Sequence, residues 1–411
     1  MNPLAVVVLI AVASAGSIIA SAQNSGWKQF GGPNRNFTVD VKGLAASWPA
    51  AGPRQLWKRE LGEGFSPIAV DNARLYTMYQ RGEQEVVIAM NTADGATVWE
   101  QAYTAPMTVN MSRAPGPRAT ALVVGETVFT TGATGKLHAL SAKTGEVLWT
   151  HDLHAVLKGH VQDEYYAASP LAHKDTIIVP VGGAGRSVMA FNQTTGSIVW
   201  QALDFKISYA SPILIDVDGQ PQVVLVMESE VIGIDPDNGK LLWSHPHANR
   251  TKTNVSTPLW SEGNLLFVSS AYDSVGRMLH LSRNGNATTV KELWTSRDLR
   301  VHVANPVRVG DTIYGSSGDF GPAFFNALDV RTGQVKWQQR DVVKASVVHA
   351  DGKFVMLNED GELLLASPGA GGLIVHSRAQ VLTKTAWTPP SMDRSILYVR
   401  DRTHVAAFDL Q

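Results

Sequence analysis

The residues best equipped for chemistry gather at eight short markers in the sequence. The clearest markers read Phe65-Ser66-Pro67, Ala168-Ser169-Pro170, Ala210-Ser211-Pro212, Ser256-Thr257-Pro258 and Ala304-Asn305-Pro306. Looser forms stand at Arg118-Ala119-Thr120, Lys344-Ala345-Ser346 and Thr388-Pro389-Pro390. Around them lie Gly64 and Phe65, Arg113 and Arg118, Asp163, Glu164, Tyr165 and Tyr166, Tyr209, Lys252 and Asn254, Arg300 and His302, Lys344, and Lys384 with Trp387. Aromatic rings stack on planar groups, and cations make charge-assisted hydrogen bonds to anions. Brought together, these residues predict a site for a small anionic or planar ligand. Its candidate members are Phe65, Arg118, Asp163, Tyr165, Tyr166, Tyr209, Asn254, His302, Lys344, Lys384 and Trp387. Surface loops of any protein carry the same residue types, so the reading depends on what positions them.

Other chemistries find less support. The stretch from His151 to Tyr166 holds His151, His154, His160, Asp163 and Glu164, which are metal-ligand types. Their spacing matches no recurrent metal pattern, and the expectation is a hydrated loop with no metal. His245 and His247, on either side of Pro246, read the same way. The chain has no cysteine, which excludes disulfides, thiolate sites, a cysteine nucleophile and the acceptor for a bacterial lipid anchor. Gly182-Gly183-Ala184-Gly185 follows a strand but precedes another strand, so it reads as a hairpin loop and not as a dinucleotide cradle. No Ser/His/Asp arrangement stands out, and no catalytic residue is assigned. A net charge of −1 without charged blocks argues against nucleic acid or an anionic membrane surface as a partner.

The positioning elements follow from a repeat. A small residue is followed six positions on by Gly and four later by Trp. Full copies are Ala89/Gly95/Trp99, Ala139/Gly145/Trp149, Ala190/Gly196/Trp200, Gly233/Gly239/Trp243 and Ala327/Gly333/Trp337, with a weaker copy ending at Trp294. About one Gly-x-x-x-Trp pair is expected by chance from this composition, and five occur in register. Gly suits a chain reversal, and Trp offers a broad surface to a neighbouring unit. Between markers lie strand and turn signals. Ala121 to Val124, Thr127 to Thr131, Leu137 to Ser141 and Val147 to His151 predict four strands, while Asp351-Gly352 and Asp360-Gly361 are strong hairpin dipeptides. Four antiparallel strands per unit at this spacing predict an all-β, eight-bladed β-propeller. The last unit is short. Gln55 to Leu61, with Trp57, supplies its missing outer strand and closes the ring without an exposed seam. The structural docking residues are then Trp57, Trp99, Trp149, Trp200, Trp243, Trp294 and Trp337. In such a ring the marker loops converge at one mouth of the central channel, which is where the candidate site is expected.

The N-terminus predicts export. Leu4 to Ala15 is a nearly unbroken apolar run, and Ala20-Ser21-Ala22 offers a cleavage site, although no Lys or Arg precedes the run. Residues 1–22 are expected to be a signal peptide, 23–53 an irregular segment outside the ring, and 54–411 the propeller. No transmembrane segment is expected in the mature chain, which would be periplasmic or secreted.

The stretch Ala327-Leu328-Asp329-Val330-Arg331-Thr332-Gly333-Gln334-Val335-Lys336-Trp337 resembles the tryptophan-docking repeat of pyrroloquinoline-quinone (PQQ) dehydrogenases. Trp27-Lys28-Gln29-Phe30-Gly31-Gly32-Pro33 resembles the start of exported PQQ-like repeat proteins. The resemblance covers nearly the whole mature chain and implies a PQQ-like, quinoprotein alcohol dehydrogenase-like propeller. Two departures bear on activity. The family's dehydrogenases carry a vicinal cysteine pair that this chain lacks, and no local match to their calcium-ligating residues is found. The expectation is therefore an exported binding or assembly scaffold without catalysis, with an envelope or extracellular protein or a small ligand as partner. The alternative is a PQQ- and Ca²⁺-dependent oxidoreductase acting on an alcohol or sugar.

Overall fold

The structure, a computed structural model, describes residues 26–106, 115–160, 165–285, 287–319, 323–342 and 344–411. The expected signal peptide lies outside these residues. The described strands form eight antiparallel sheets arranged as the blades of a propeller. Blade 1 comprises Ala69–Asp71, Arg74–Arg81, Gln84–Asn91 and Thr97–Thr104, from the channel outwards. Blades 2 to 7 follow over residues 122–152, 171–202, 213–246, 259–296, 307–339 and 346–380. In blade 2 the strands are Leu122–Val124, Thr127–Thr131, Lys136–Ser141 and Val147–Asp152, within a residue of the expected bounds. Blade 8 takes Ser391–Asp393, Ile396–Arg400 and His404–Asp409 from the C-terminus, and Arg54–Glu60 pairs antiparallel with the last of these as its outer strand.

Each repeat Trp joins two blades. The indole N–H of Trp57 donates to Thr92 O, Trp99 to Ala142 O, Trp149 to Gln193 O, Trp200 to Pro236 O, Trp294 to Val330 O and Trp337 to Gly369 O, at 2.8–3.1 Å. The repeat Gly meets two demands at once. Gly145 has φ of +77°, and a Cβ there would stand 2.5 Å from the Trp99 ring of the preceding blade. The turn needs the left-handed conformation, and the docked indole needs the space.

Trp243 is the exception. Its N–H donates to Gln222 Oε1 in its own blade at 2.7 Å, and Gln222 Nε2 donates to Thr288 Oγ1 in blade 5 at 2.7 Å. In the next blade the third and fourth strands run on to the Asn284/Ala287 pair, beyond the point where the other blades turn. The indole folds over Gly233, where the other four full copies carry Ala, and a Cβ there would lie 2.0 Å from Trp243 Nε1. Gly233→Ala is expected to displace the ring and cost about 1–3 kcal/mol, the usual range for overpacking. Urea denaturation measures this, and an unchanged midpoint would contradict the account.

The markers also do more than start strands. Their short polar side chains form a belt from blade to blade around the channel. Ser66 Oγ donates to Ala119 O, Thr120 N to Ser169 Oγ, Ser169 N to Ser211 Oγ, and Ser211 N to Thr257 Oγ1. Asn305 both donates to Val347 O and accepts from Val347 N, and Ser391 Oγ donates to Ile68 O across the closure. These groups are buried, so each bond avoids an unsatisfied polar atom.

The N-terminal segment corrects an expectation. It is irregular, but it does not stay outside the ring. Trp27 O accepts from Val70 N, Lys28 O from Val123 N, and Phe37 O from His349 N, all on innermost strands. Thr38–Val39 pairs in parallel with the inner strand Ser346–Ala350. Arg35 is 5% exposed and donates from Nη2 to Pro170 O at 2.5 Å and from Nη1 to Pro212 O at 2.9 Å. Phe37 packs against Trp27 and Phe30, with ring centroids 6.0 and 5.3 Å apart. Three aromatic rings in about ten residues were the sign that this segment needed an interior. It plugs the channel from the end that carries the Asp71 and Asp351 turns, contacting both through Lys28 and Leu44.

Candidate functional site

A cavity of about 710 Å³ opens at the other end of the channel, where the markers converge. Phe30 of the plug contributes to its lining, and the remainder comes from marker loops and the neighbouring hairpin loops. Of the expected residues, Phe65, Arg118, Tyr209, His302 and Trp387 line it, as does Lys252. Phe65 and Trp387 face each other with centroids 5.8 Å apart and planes at 31°. The Trp387 indole is held by Glu359 Oε2 at 3.0 Å, which also lies 3.6 Å from Lys344 Nζ.

Other expected members are placed elsewhere. Tyr166 is fully buried, and its hydroxyl donates to Pro180 O at 2.8 Å. Asn254 is also fully buried and ties loops together, donating to Met227 O and accepting from Asn249 and Ser270. Their polar groups are committed to the scaffold. Tyr165 is half-buried and does not line the cavity, nor do Arg300, Lys344 or Lys384. Lys384 pairs instead with Asp360 at 3.0 Å. Arg113, Asp163 and Glu164 lie outside the described residues. The sequence reading passed over Phe30, Lys206, Glu228 and Tyr272 as members of the mouth, and all four are on the lining. Glu228 and Tyr272 sit on hairpin loops between the second and third strands of blades 4 and 5. Those loops reach the same face as the markers, which is the rule that would have found them.

Charges of both signs reach the mouth: among the described lining residues stand Arg118, Lys206, Lys252 and Glu228, with Glu228 paired to Lys252 at 3.1 Å, and the Asp319 and Glu359 charges act on the lining His302. His302 adds no charge at neutral pH. Burial, with the nearby Lys344 charge, lowers its pKa to about 4, and its ring meets the Tyr272 hydroxyl at 2.5 Å.

The histidines expected in loops have structural partners. His151 belongs to the outer strand of blade 2 and meets Gly196 O at 2.6 Å, while His160 lines the mouth. His247 Nε2 lies 2.9 Å from Ser270 Oγ, the spacing of a nucleophile and its base. The surroundings prevent that use. Arg277 Nε donates to His247 Nδ1, so the ring proton sits on Nε2 and points at Ser270, whose own proton goes to Asn254 Oδ1.

Burial keeps these imidazoles neutral in the fold, with pKa values lowered to about 3 for His247 and about 4 for His138 and His302. The unfolded chain takes up their protons below about pH 6.5, whereas the fold refuses them until its own lower values are reached. Stability is therefore expected to fall as pH drops through this window, by about 1.4 kcal/mol per pH unit for each fully neutral histidine. Urea denaturation at stepped pH measures the slope. His247→Gln, which keeps a donor and an acceptor, should flatten the slope by close to one proton. An unchanged slope would refute the assignment.

Among the described residues, the cavity offers no oxygen cage for calcium. Calcium requires about six to eight oxygen ligands. Among the described lining residues, the carboxylate Glu228 is held by Lys252, and the Asn305 amide is committed to Val347. Among the described residues, no group of three or more His, Asp or Glu could hold a metal ion.

Comparison with known proteins places this architecture. The sequence profile of the family "Outer membrane protein assembly factor BamB" matches residues 11–120 and 83–339. The BamB of Yersinia pestis is 25% identical over 283 residues, covering 64% of this chain and 64% of that protein. A quinoprotein ethanol dehydrogenase of Pseudomonas putida is 25% identical over 262 residues, covering 55% of this chain and 40% of that enzyme. The chain thus spans less than two thirds of the length of either relative. The fold matches BamB from Moraxella catarrhalis with a TM-score of 0.61 at 17% identity, over 87% of this chain and 100% of that one. It also matches the quinohemoprotein alcohol dehydrogenase of Comamonas testosteroni with a TM-score of 0.65 at 13% identity, over 95% and 81%. The chain is an eight-bladed PQQ-like propeller and belongs to the outer membrane protein assembly factor BamB family.

Proposed function

We propose that this chain is an exported, non-catalytic scaffold on which envelope proteins assemble. Family membership supports this reading, and the donor set of the mouth carries it. The cavity has walls suited to binding, while among the described lining residues Glu228 is engaged by Lys252 and the Asn305 amide by Val347, leaving no oxygen cage for a cofactor metal. Export rests on the apolar Leu4–Ala15 run with cleavage after Ala22. No helix among the described residues is long and apolar enough to cross a membrane.

The second reading is a PQQ- and Ca²⁺-dependent alcohol or sugar dehydrogenase. The quinoprotein relatives and the Phe65/Trp387 ring pair favour it. One titration separates the two. Purified protein is mixed with PQQ and Ca²⁺, quinone absorbance is followed, and dye-linked oxidation of ethanol and glucose is assayed. The scaffold reading expects no stoichiometric quinone and no turnover, and turnover with bound quinone overturns it. Sequencing of the mature N-terminus should begin at Gln23, and an intact Met1 would remove the cleavage proposal.

A further inference from the structure

We infer that Asn284-Gly285 is a site of spontaneous covalent modification, at which the chain converts an asparagine into aspartate and isoaspartate as it ages. The sequence holds two Asn-Gly pairs, Asn238-Gly239 and Asn284-Gly285. The fold shields the first and leaves the second open, and that contrast carries the inference.

The reaction makes plain demands on the backbone. The nitrogen that follows the asparagine must lose its proton and reach the side-chain carbonyl carbon, and the chain must turn about the asparagine to let it. Glycine helps, since it has no Cβ to cover the nitrogen or restrict the turn. The nitrogen of Gly285 attacks Cγ of Asn284, the new N–Cγ bond closes a succinimide ring, and the Cγ–Nδ2 bond breaks. Nδ2 leaves as ammonia, carrying the proton that the glycine nitrogen gave up. Water then opens the ring at either carbonyl. One opening gives aspartate, and the other gives isoaspartate, with a side-chain carbon inserted into the main chain. No oxidant or reductant takes part.

Asn238 is locked against each of these steps. Its Nδ2 donates to Asp235 Oδ2 at 2.9 Å, and its Oδ1 accepts from Lys240 N at 2.9 Å. The N–H of Gly239 donates to Asp235 O at 2.9 Å. Gly239 is buried, and a Cβ there would stand 2.7 Å from the Trp200 ring of blade 3. This is the repeat turn itself, in which Gly95, Gly145, Gly196 and Gly333 also donate their N–H to the carbonyl of the fourth residue before them.

Blade 5 departs from that pattern. Its strands Gly276–Asn284 and Ala287–Ser296 run out to a hairpin closed by the Asn284/Ala287 pair. Asn284 and Gly285 are exposed, and a Cβ on Gly285 would meet nothing within 4 Å. Arg283 Nε donates to the carbonyl of Gly285 at 2.8 Å, which leaves the Gly285 N–H and the Asn284 amide uncommitted among the described residues. Opening the last pair of a hairpin is a small local event, whereas freeing Gly239 requires a docked blade turn to come apart. The product bears on the neighbouring blade. Arg283 N donates to Asp218 Oδ2 at 2.8 Å, and Asp218 Oδ1 accepts from Asn264 Nδ2 at 2.7 Å, so the hairpin is tied to blade 4. A carboxylate at position 284 sets a second negative charge one residue from that tie.

The full chain is held in native buffer at mildly alkaline pH and, in parallel, unfolded in guanidinium chloride. Portions withdrawn over days are mapped by proteolysis and mass spectrometry, and isoaspartate is counted with a protein isoaspartyl methyltransferase and labelled S-adenosylmethionine. In the native chain Asn284 should react about tenfold or more faster than Asn238, which must wait for its turn to open. In the unfolded chain the two sites should react at comparable rates. Asn284→Gln, whose longer side chain does not close the same ring, should remove the acidic species that ion exchange resolves from the native chain as it ages. An unreacted Asn284, Asn238 keeping pace in the native chain, the same gap persisting after unfolding, or an acidic species undiminished in Asn284→Gln overturns the inference.

Discussion

Arg400→Met is expected to lower stability by about 3–5 kcal/mol, because it removes a fully buried cation whose partners cannot be solvated. Arg400 ends the second strand of blade 8 and reaches into blade 1. Its Nη1 donates to Met78 O at 2.6 Å, Thr77 Oγ1 at 2.9 Å and Ser66 O at 3.3 Å. Burial lowers its pKa to about 9, against the pull of Asp401, so it remains charged at neutral pH. Asp401 is itself buried. Burial alone would raise its pKa, but the N–H groups of Thr383, His404 and Thr403 outweigh that and hold it below the usual carboxylate range. Methionine fills much of the volume but leaves the carbonyls of blade 1 without a donor and the carboxylate without its counter-charge.

The location magnifies the effect. The ring closes between Arg54–Glu60 and His404–Asp409, and the three C-terminal strands are held on blade 1 by side chains. Arg400 acts there with Thr388 Oγ1, which donates to Phe65 O, and Ser391 Oγ, which donates to Ile68 O. The urea midpoint should fall, and proteolysis should begin in the last blade. Arg250→Met is the control, since Arg250 pairs with Asp273 and both side chains are exposed, so it should shift stability by less than about 0.5 kcal/mol. An Arg400→Met midpoint as close to wild type as that control would refute the latch.

The ring and its closure were legible because their signals are local. Trp, Gly and the short polar turn residue fall within eleven positions, and the turn chemistry fixes the strands on either side. The closing strand carries its own Trp, so Trp57 could be matched to the series. What could not be read depended on distant partners. The belt formed by Ser66, Ser169, Ser211 and Thr257 bonds across blades, and the Pro beside each drew attention to strand starts alone. Trp243 matches the repeat, yet its N–H bonds within its own blade, and the next blade's hairpin runs on to Asn284, 41 residues on from Trp243. A cavity lies where the markers converge, but the expected membership was read from one loop per blade. Glu228 and Tyr272 come from the second loop, while Tyr166 and Asn254 turn inward to satisfy backbone groups.

Arg35→Ala should release the plug before it unfolds the ring. The side chain donates to Pro170 O, Pro212 O and Gln29 Oε1, and burial without a counter-ion lowers its pKa to about 9. Alanine leaves two buried carbonyls unpaired and a cavity in place of the guanidinium, at a cost of about 3–4 kcal/mol. The loss need not spread, because blades 1 to 8 keep their own sheets and docking tryptophans. Local opening of residues 26–45 then becomes the cheaper transition. Three inner-strand amides report it, since Val70 N, Val123 N and His349 N donate to Trp27, Lys28 and Phe37 of the plug. Their hydrogen exchange should accelerate by about a hundredfold or more, while amides in the middle strands, such as Ile88 and Leu140, hold near wild-type rates. Uniform acceleration across all blades would mean that the plug and ring unfold as one unit. Unchanged exchange at Val123 and His349 would mean that Arg35 does not hold the segment in the channel.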